Sequence, residues 1–201
     1  MRSIEKIPTK FLLPLISASS VLREEKIFND FLLLAKKKKI PSIKIYEALL
    51  QSYLFAGFPS ALISLKNFHK VFPNFKSKVK TPSYSELRKR GEKTCKIIYG
   101  NKYDKLISNV KSFSPDLAEW LVVEGYGKVL SRNRLSLKER ELCIIAILTV
   151  LKFEDQLLSH ILGCLRAGIK MEIISELMDY LKLFNNSFSS FGRKILSKTK
   201  R

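Results

Sequence analysis

The stretch "LSLKERELCIIAILTVLKFEDQLLSHILGCLRAGI", from Leu135 to Ile169, decides the class of fold. Its apolar residues recur at the three- and four-residue spacing of helices, whereas no convincing run alternates polar and apolar residues as a half-buried strand does. Ser136 followed by Glu139 forms the pattern of a capping box, which begins a helix. We therefore predict two consecutive helices, over residues 136–151 and 155–167, in an all-α protein.

The same periodicity extends outward through most of the chain. Further helices are predicted over residues 11–21, 24–38, 43–56, 59–71, 85–99, 103–111, 115–130 and 170–184. Residues 48–65 carry no charge and are long enough for a membrane span, but their serines and central Gly-Phe-Pro favour two buried helices joined by a tight break. We therefore predict no membrane partner.

The chain also repeats itself. When the sequence is aligned with itself, residues 15–62 match residues 144–191 without a gap. The identical pairs include Val21/Val150, Leu22/Leu151, Glu25/Glu154, Leu33/Leu162, Ile40/Ile169, Glu47/Glu176 and Phe55/Phe184. This pattern predicts two copies of one helical unit. The predicted division is a degenerate first unit over 1–72, a linker over 73–84 and a second unit over 85–201 that carries the site.

The composition restricts the partners of the protein. The net charge of +19 attracts polyanions, yet the lysines are spread along all 201 residues, with one run only, Lys36–Lys39. Neither zinc-ligand spacing nor a recognition-helix pattern accompanies the charge, so we predict a solvated lysine-rich surface and no specific nucleic-acid partner. The widely spaced Cys95, Cys143 and Cys164 form no disulfide framework, which indicates a reducing, cytoplasmic setting.

His160 is one of only two histidines, and it does not lie on the leucine stripe of its helix. At 100° per residue it shares a face with Gln156, Gly163 and Cys164, where small residues allow close approach. Two interpretations follow from this placement. His160 is either a core histidine bonded to a backbone carbonyl or the centre of a site.

Glu141 is the second unusual residue, because the helix that follows it is apolar on all sides. A buried carboxylate is costly unless it is paired or protonated. The alternative is an exposed position in the first turn, paired with Arg140 or Lys138. An ideal hairpin leaves Glu141 and His160 offset by roughly 6 Å, a gap that a water molecule or Gln156 could bridge.

Several motifs resemble those of the carboxymuconolactone decarboxylase family, which also contains the AhpD-like alkylhydroperoxidases. They are "AGFPSAL", "EGYGKVLSR", "RNRLSLKEREL" and "EDQLLSH". The resemblance implies an all-helical AhpD-like fold, here in a tandem two-unit version, and a homo-oligomer of the trimeric or hexameric kind.

The resemblance also implies roles for individual residues. Redox members carry a glutamate, then CxxC, then a histidine four positions after the second cysteine. Glu141 and His160 match the glutamate and the histidine, but Phe153 and Gln156 stand where the cysteines would be. Without those thiolates, disulfide exchange is not supported.

Gln156 with His160 instead resembles the decarboxylase branch, which uses no metal or organic cofactor. The resemblance then implies that His160 moves the proton, that Glu141 is its partner and that Gln156 helps to position the substrate. Arg132 and Arg134 are candidates for binding a substrate carboxylate, since a guanidinium matches a carboxylate bidentately. Arg132 matches the arginine of a family "SRPGL" segment, from which Arg134 departs.

Three functional hypotheses remain from the sequence. The leading one is a decarboxylase-like enzyme that acts on a small carboxylated substrate. The second is an AhpD-type redox protein that uses Cys143 or Cys164. The third is a non-catalytic helical assembly protein that binds polyanions through its positive charge.

Overall fold

The regular structure consists of helices throughout residues 4–79 and 82–200, which are the residues that the computed structural model describes. The helices are α1 (Thr9–Leu22), α2 (Glu25–Lys37), α3 (Ser42–Gln51), α4 (Tyr53–Val71), α5 (Tyr84–Tyr99), α6 (Tyr103–Phe113), α7 (Pro115–Trp120), α8 (Leu137–Leu151), α9 (Glu154–Arg166), α10 (Met171–Tyr180) and α11 (Asn186–Ser197). A π-helical segment, Leu121–Leu130, follows α7 directly. The predicted all-α fold is confirmed.

The chain forms two compact units. The main unit comprises the described parts of Met1–Ser77 and Arg134–Arg201, and the inserted unit comprises those of Lys78–Asn133. This division by packing differs from the predicted division by repeat, which placed residues 85–201 together. Residues 1–3, 80, 81 and 201 of the predicted units and linker lie outside the described residues.

Two helices form the centre of the main unit. Every residue of α8 from Arg140 to Val150 is buried, and so is every residue of α1 from Phe11 to Val21. These helices pack along each other, while α2, α3, α9 and α10 each bury one face only. A helix without an exposed stripe can be stable in water only inside a core, which is where α1 and α8 lie.

The start of α8 is set locally. The side chain of Ser136 accepts a hydrogen bond from the backbone of Glu139, and the Glu139 carboxylate accepts one from the Ser136 backbone at 2.9 Å. This capping box satisfies backbone donors that the first helical turn leaves without a partner. The capping pattern predicted from the sequence is therefore present.

Helix bounds in the main unit recur with the offset of the sequence repeat. The bounds of α2 and α9 are equivalent positions in the alignment of the two halves, and so are the bounds of α3 and α10. The left-handed residues recur too, since Arg23 and Lys152 both have φ 58°, while Lys39 and Gly168 have φ 56° and 77°. These coincidences support the repeat, which stays a prediction about the origin of the sequence.

The chain bends between α3 and α4, and the predicted bounds are wrong here. The helix expected over 43–56 ends at Gln51, where α3 and α4 meet at a bend of 119°. A second irregularity follows at Gly57, whose φ of 74° and ψ of 171° interrupt α4. Within the described chain, no single helix is long and apolar enough to cross a membrane, although α3 and α4 pass that test of length and composition as a bent pair.

The sequence reading overlooked α11, whose serine- and asparagine-rich start is a poor helix former. The Asn185 side chain caps this helix by accepting a hydrogen bond from the Ser187 backbone at 2.8 Å. Gly192 lets it pack closely, because a Cβ at that position would come within 2.3 Å of the Met178 sulfur. Tertiary packing therefore outweighs weak local propensity.

The inserted unit contains α5–α7 and the π-helical segment. The predicted single helix over 115–130 is therefore divided, because its second part takes the wider π-helical winding. Gly91 and Gly127 allow α5 and this segment to touch, since a Cβ at either position would lie within 2.2 Å of a backbone oxygen of the other segment.

Candidate active site

Consecutive antiparallel helices bring Glu141 and His160 together. α8 ends at the left-handed residue Lys152, and α9 runs back against α8. The Nδ1 atom of His160 lies 2.9 Å from the Oε2 atom of Glu141, which is hydrogen-bonding distance. The offset expected between the helix positions is spanned by the two side chains themselves. The bridge by water or Gln156 allowed for in the sequence analysis is therefore unnecessary.

Burial excludes one interpretation of Glu141. Its side chain is 0% exposed, and His160 is 5% exposed, so Glu141 does not serve as an exposed residue of the first turn. The two partners considered for it also bind elsewhere. Lys138 Nζ donates to the Gly168 carbonyl oxygen at 3.2 Å, and Arg140 pairs with Glu47. The Glu141 carboxylate instead contacts the imidazole.

One oxygen of this carboxylate is unused. Among the described residues, Glu141 Oε1 is buried and accepts no hydrogen bond. Leaving a buried charged acceptor unsatisfied costs more than leaving a neutral one, and native structures contain few such atoms. An unsatisfied buried acceptor beside a histidine therefore makes this pair a candidate site.

The thiols near this pair are unsuited to redox chemistry. Cys164 lies one turn after His160, where burial and then the Glu141 charge raise the pKa of the thiol well above its ordinary value. Burial likewise raises the pKa of Cys143 to about 12. Both side chains are therefore neutral thiols near neutral pH, whereas a redox cysteine needs a thiolate.

The remaining predicted site residues are more exposed to solvent than Glu141 and His160. Gln156 is exposed on α9, one turn before His160. Arg134 is exposed in the turn before α8, and Arg132 is half-buried at the end of the inserted unit. Their roles toward a substrate stay predictions.

The sequence analysis missed a buried polar network next to Glu141. Arg140 Nη2 lies 2.9 Å from Glu47 Oε2, and Arg140 Nη1 donates to Gln51 Oε1 at 3.0 Å. The charged side chains of this pair are 1% and 0% exposed. The sequence feature that could have indicated this network is an arginine at the start of an apolar helix. Its partner lies 93 positions earlier, on α3, and a local sequence pattern does not reveal such a contact.

A second missed residue is Phe55, in the first turn of α4. Its ring meets the His160 imidazole edge-on, with ring centroids 6.4 Å apart and an interplanar angle of 80°. The imidazole is therefore contacted from α8 by a carboxylate and from α4 by an aromatic ring. The identity of Phe55 and Phe184 in the repeat alignment was the available signal.

Two open clefts in the main unit lie away from this pair. One, of about 510 Å³, is lined by α10 and α11, and the other, of about 370 Å³, by α1, α2 and α4. Neither is lined by Glu141 or His160. Within residues 4–79 and 82–200, no three His, Cys, Asp or Glu side chains are grouped to hold a metal ion. The pair itself consists of a buried carboxylate and a buried imidazole in direct contact.

Comparison with known proteins shows what part of the chain is similar to. Residues 115–181, which include Glu141 and His160, match the Carboxymuconolactone decarboxylase family. Peroxisomal protein 2 of Schizosaccharomyces pombe is 33% identical over 138 residues, or 66% of this chain and 65% of that protein. The 4-carboxymuconolactone decarboxylase of Acinetobacter baylyi is 28% identical over 88 residues, or 43% of this chain and 66% of that enzyme.

The chain thus spans just under two thirds of the length of each of these relatives. The match over residues 115–181 agrees with the resemblance that its motifs predicted. Glu141 and His160 lie within the matched residues, and their role toward a substrate stays a prediction.

Proposed function

We propose that the protein is a carboxymuconolactone decarboxylase-like enzyme that transfers a proton to or from a small carboxylated substrate. The observation that carries this proposal is the buried contact of 2.9 Å between Glu141 Oε2 and His160 Nδ1. A carboxylate at one imidazole nitrogen fixes the orientation of the ring, as a general acid/base requires. The exchangeable proton is then carried at Nε2.

In a decarboxylation, the bond between the substrate and its carboxylate carbon breaks and carbon dioxide leaves. The electron pair remains on the substrate, where a conjugated lactone carbonyl can accept it. His160 Nε2 then delivers one proton to a substrate carbon, so the carboxylate is replaced by hydrogen. The imidazole then recovers its proton from water.

Three further residues complete the proposal. Arg132 and Arg134 supply guanidinium groups for the substrate carboxylate, because planar forked donors match its two oxygens. Gln156, one turn before His160, supplies an amide that orients the substrate. All three are polar side chains at half-buried or exposed positions, which a substrate arriving from solvent can contact.

The protein acts, in this proposal, in the reducing interior of the cell. Its cysteines are unpaired within the described chain, as in proteins of reducing compartments. Cytoplasm is the predicted location, and the name of the peroxisomal relative makes the peroxisome the alternative. Fluorescence microscopy of the tagged full chain distinguishes diffuse from punctate signal.

Steady-state kinetics of His160→Ala test the assignment. We expect kcat to fall by about 10²–10⁴-fold at saturating substrate, the usual contribution of a general acid/base. The first substrate is 4-carboxymuconolactone, which the bacterial relative is named for. His69→Ala is the matched control, because His69 is the other histidine and is exposed on α4. Unchanged turnover in His160→Ala contradicts the proposal.

A redox role is separated from this one by a second assay. A Cys143→Ala/Cys164→Ala double variant should keep decarboxylase turnover, since both thiols are neutral and buried. If the parent consumes peroxide and the double variant does not, the redox hypothesis replaces the proposal.

A further inference from the structure

The contact between Phe55 and His160 joins the two halves of the repeat. Phe55 lies within residues 15–62, and His160 lies within residues 144–191, the two aligned segments. Phe55 is half-buried, whereas His160 is 5% exposed, so the aromatic ring is the more exposed of the two groups in contact. The interruption of helical backbone at Gly57 comes two residues after Phe55.

The same ring contact occurs a second time at the equivalent positions. In the repeat alignment, Phe184 is equivalent to Phe55 and Phe31 is equivalent to His160, and these two phenylalanine rings also meet. Their centroids are 6.0 Å apart with an interplanar angle of 83°, close to the 6.4 Å and 80° of Phe55 and His160. Phe31, like His160, is buried, and Phe184, like Phe55, is half-buried. The main unit therefore contains two copies of one arrangement, each built from both halves.

Only one of these two copies is polar. Phe31 is equivalent to His160, and Leu12 is equivalent to Glu141 when the same offset is continued three residues before the aligned segments. The polar contact of Arg140 with Gln51 also has an apolar equivalent, namely Phe11 and Tyr180 with ring centroids 5.0 Å apart. The apolar copy needs its aromatic contact for packing alone, whereas the polar copy places that contact over an acid/base residue.

We propose that Phe55 is a specificity-determining residue of the Glu141–His160 site, which its ring walls off from solvent. The substrate in this inference rests on the proposed function. The wall itself rests on the observed contact between the Phe55 ring and His160. A substrate reaches the imidazole only alongside Phe55, so its apolar part lies against the ring while its carboxylate lies toward water. Such a wall favours small carboxylated molecules with a flat, unsaturated or cyclic body.

In this proposal each chain has one site, although the repeat supplies two equivalent positions. The apolar copy has the same wall, Phe184, but neither an acid/base group nor a buried carboxylate behind it. This asymmetry provides a matched control, since Phe55 and Phe184 are the same residue type in the same contact geometry.

Chemical modification tests the wall without any substrate. Diethyl pyrocarbonate acylates accessible imidazoles, and mass spectrometry of peptides follows His160 with exposed His69 as the internal reference. We expect Phe55→Leu to raise the acylation rate of His160 several-fold relative to the parent. Phe184→Leu should leave that rate unchanged, because its ring contacts Phe31 instead. Equal rates in the two variants overturn the proposal.

Kinetics then test the contact with substrate. Phe55→Leu should raise KM for 4-carboxymuconolactone about tenfold with kcat changed by less than about threefold, the pattern of lost binding rather than lost chemistry. Phe184→Leu should match the parent, and Phe55→Tyr should restore the parent KM because it restores the ring. An unchanged KM in Phe55→Leu contradicts the specificity role.

The two proposals fail separately. If the parent lacks turnover but His160 acylation still rises only in Phe55→Leu, the proposed reaction is wrong and the wall stands. If turnover depends on His160 but both leucine variants behave like the parent, the reaction stands and the wall is wrong. Thermal melts followed by circular dichroism check that both leucine variants are folded. Leucine is chosen because it removes the ring but keeps an apolar side chain at each position.

Discussion

The His160 imidazole contacts neighbours of different kinds. Glu141 Oε2 lies at its Nδ1 atom, and the Phe55 ring meets it edge-on from another helix. In the proposed function, the contact with Glu141 orients the imidazole for proton transfer. The unsatisfied Glu141 Oε1 is a cost that the folded protein tolerates beside this ring. Functional sites are where such costs are expected.

Burial of the Cys143 thiol should lower the free energy of unfolding at alkaline pH. Burial raises the pKa of its thiol to about 12, against an ordinary value of 9.0 in the unfolded chain. Above pH 9 the unfolded chain binds fewer protons, so stability is lost as pH rises toward the folded-state value. Between about pH 8.5 and about pH 10.5 this thiol alone should remove about 2 kcal/mol.

Urea unfolding of the parent and Cys143→Ala across that range measures this contribution. The alanine variant lacks the thiol, so its free energy of unfolding should fall less steeply with pH than that of the parent. Parallel slopes would show that Cys143 ionises as readily in the folded protein as in the unfolded chain.

The lysine run at the end of α2 shows how one element uses its charges. Lys36 Nζ donates to the Val71 carbonyl oxygen, Lys37 Nζ contacts Glu5, and Lys38 Nζ donates to the Ile7 carbonyl oxygen, each at 2.8 Å. Cations at a helix C-terminus also complement its dipole. The run therefore anchors neighbouring backbone, which is a structural use that needs no polyanion.

The ion pair between α3 and α8 should be sensitive to removal of one partner. Arg140→Met leaves the Glu47 carboxylate buried without its cation, which typically costs about 3–5 kcal/mol. Urea unfolding measures this loss as a lower midpoint. Lys37→Ala is the control, because its partner Glu5 lies at the surface and the midpoint should stay near that of the parent.

The double variant Arg140→Met/Glu47→Leu makes the test specific. Removing both charges replaces the pair by apolar side chains, so we expect it to recover much of the stability lost in Arg140→Met. If the double variant is no more stable than the single one, the loss in Arg140→Met comes from packing rather than from the stranded charge.

At the scale of the whole molecule, the main unit contains two similar arrangements of side chains, of which one is polar. The helix bounds, the left-handed residues and the aromatic contacts all recur at equivalent positions of the two aligned segments. The central pair α1 and α8 consists of equivalent helices, so the core lies where the halves meet. The duplication itself stays a prediction, and it explains why the site draws on residues from both halves.

Hydrogen exchange should report unequal stability across the molecule. Amides of α8 should exchange slowest, because α8 is buried on all sides from Arg140 to Val150. Amides of α6 should exchange much faster, because α6 contains no buried residue. Mass spectrometry of exchanged peptides measures both rates in one experiment. Equal protection of α6 and α8 would contradict this expectation.

The sequence by itself determined the helical class, most helix positions and the resemblance to a known family. Apolar periodicity, the Ser136–Glu139 cap and the family motifs are local patterns. Local patterns can be recognised in a sequence without knowing how the helices pack. It also singled out Glu141 and His160, because a carboxylate and an imidazole in apolar helices are conspicuous. The missed α11 and the break at Ser52 show where local propensity is too weak to predict structure.

Only the tertiary structure decided which side chains meet. The direct contact of Glu141 with His160 depends on how α8 and α9 pack, since helix positions alone left a gap. Arg140 contacts Glu47, which lies 93 positions earlier in the sequence, and Phe55 contacts His160 from another helix. Buried polar groups need partners inside the packed core. Those partners are the groups that lie nearby in the folded protein, which can be far apart in the sequence.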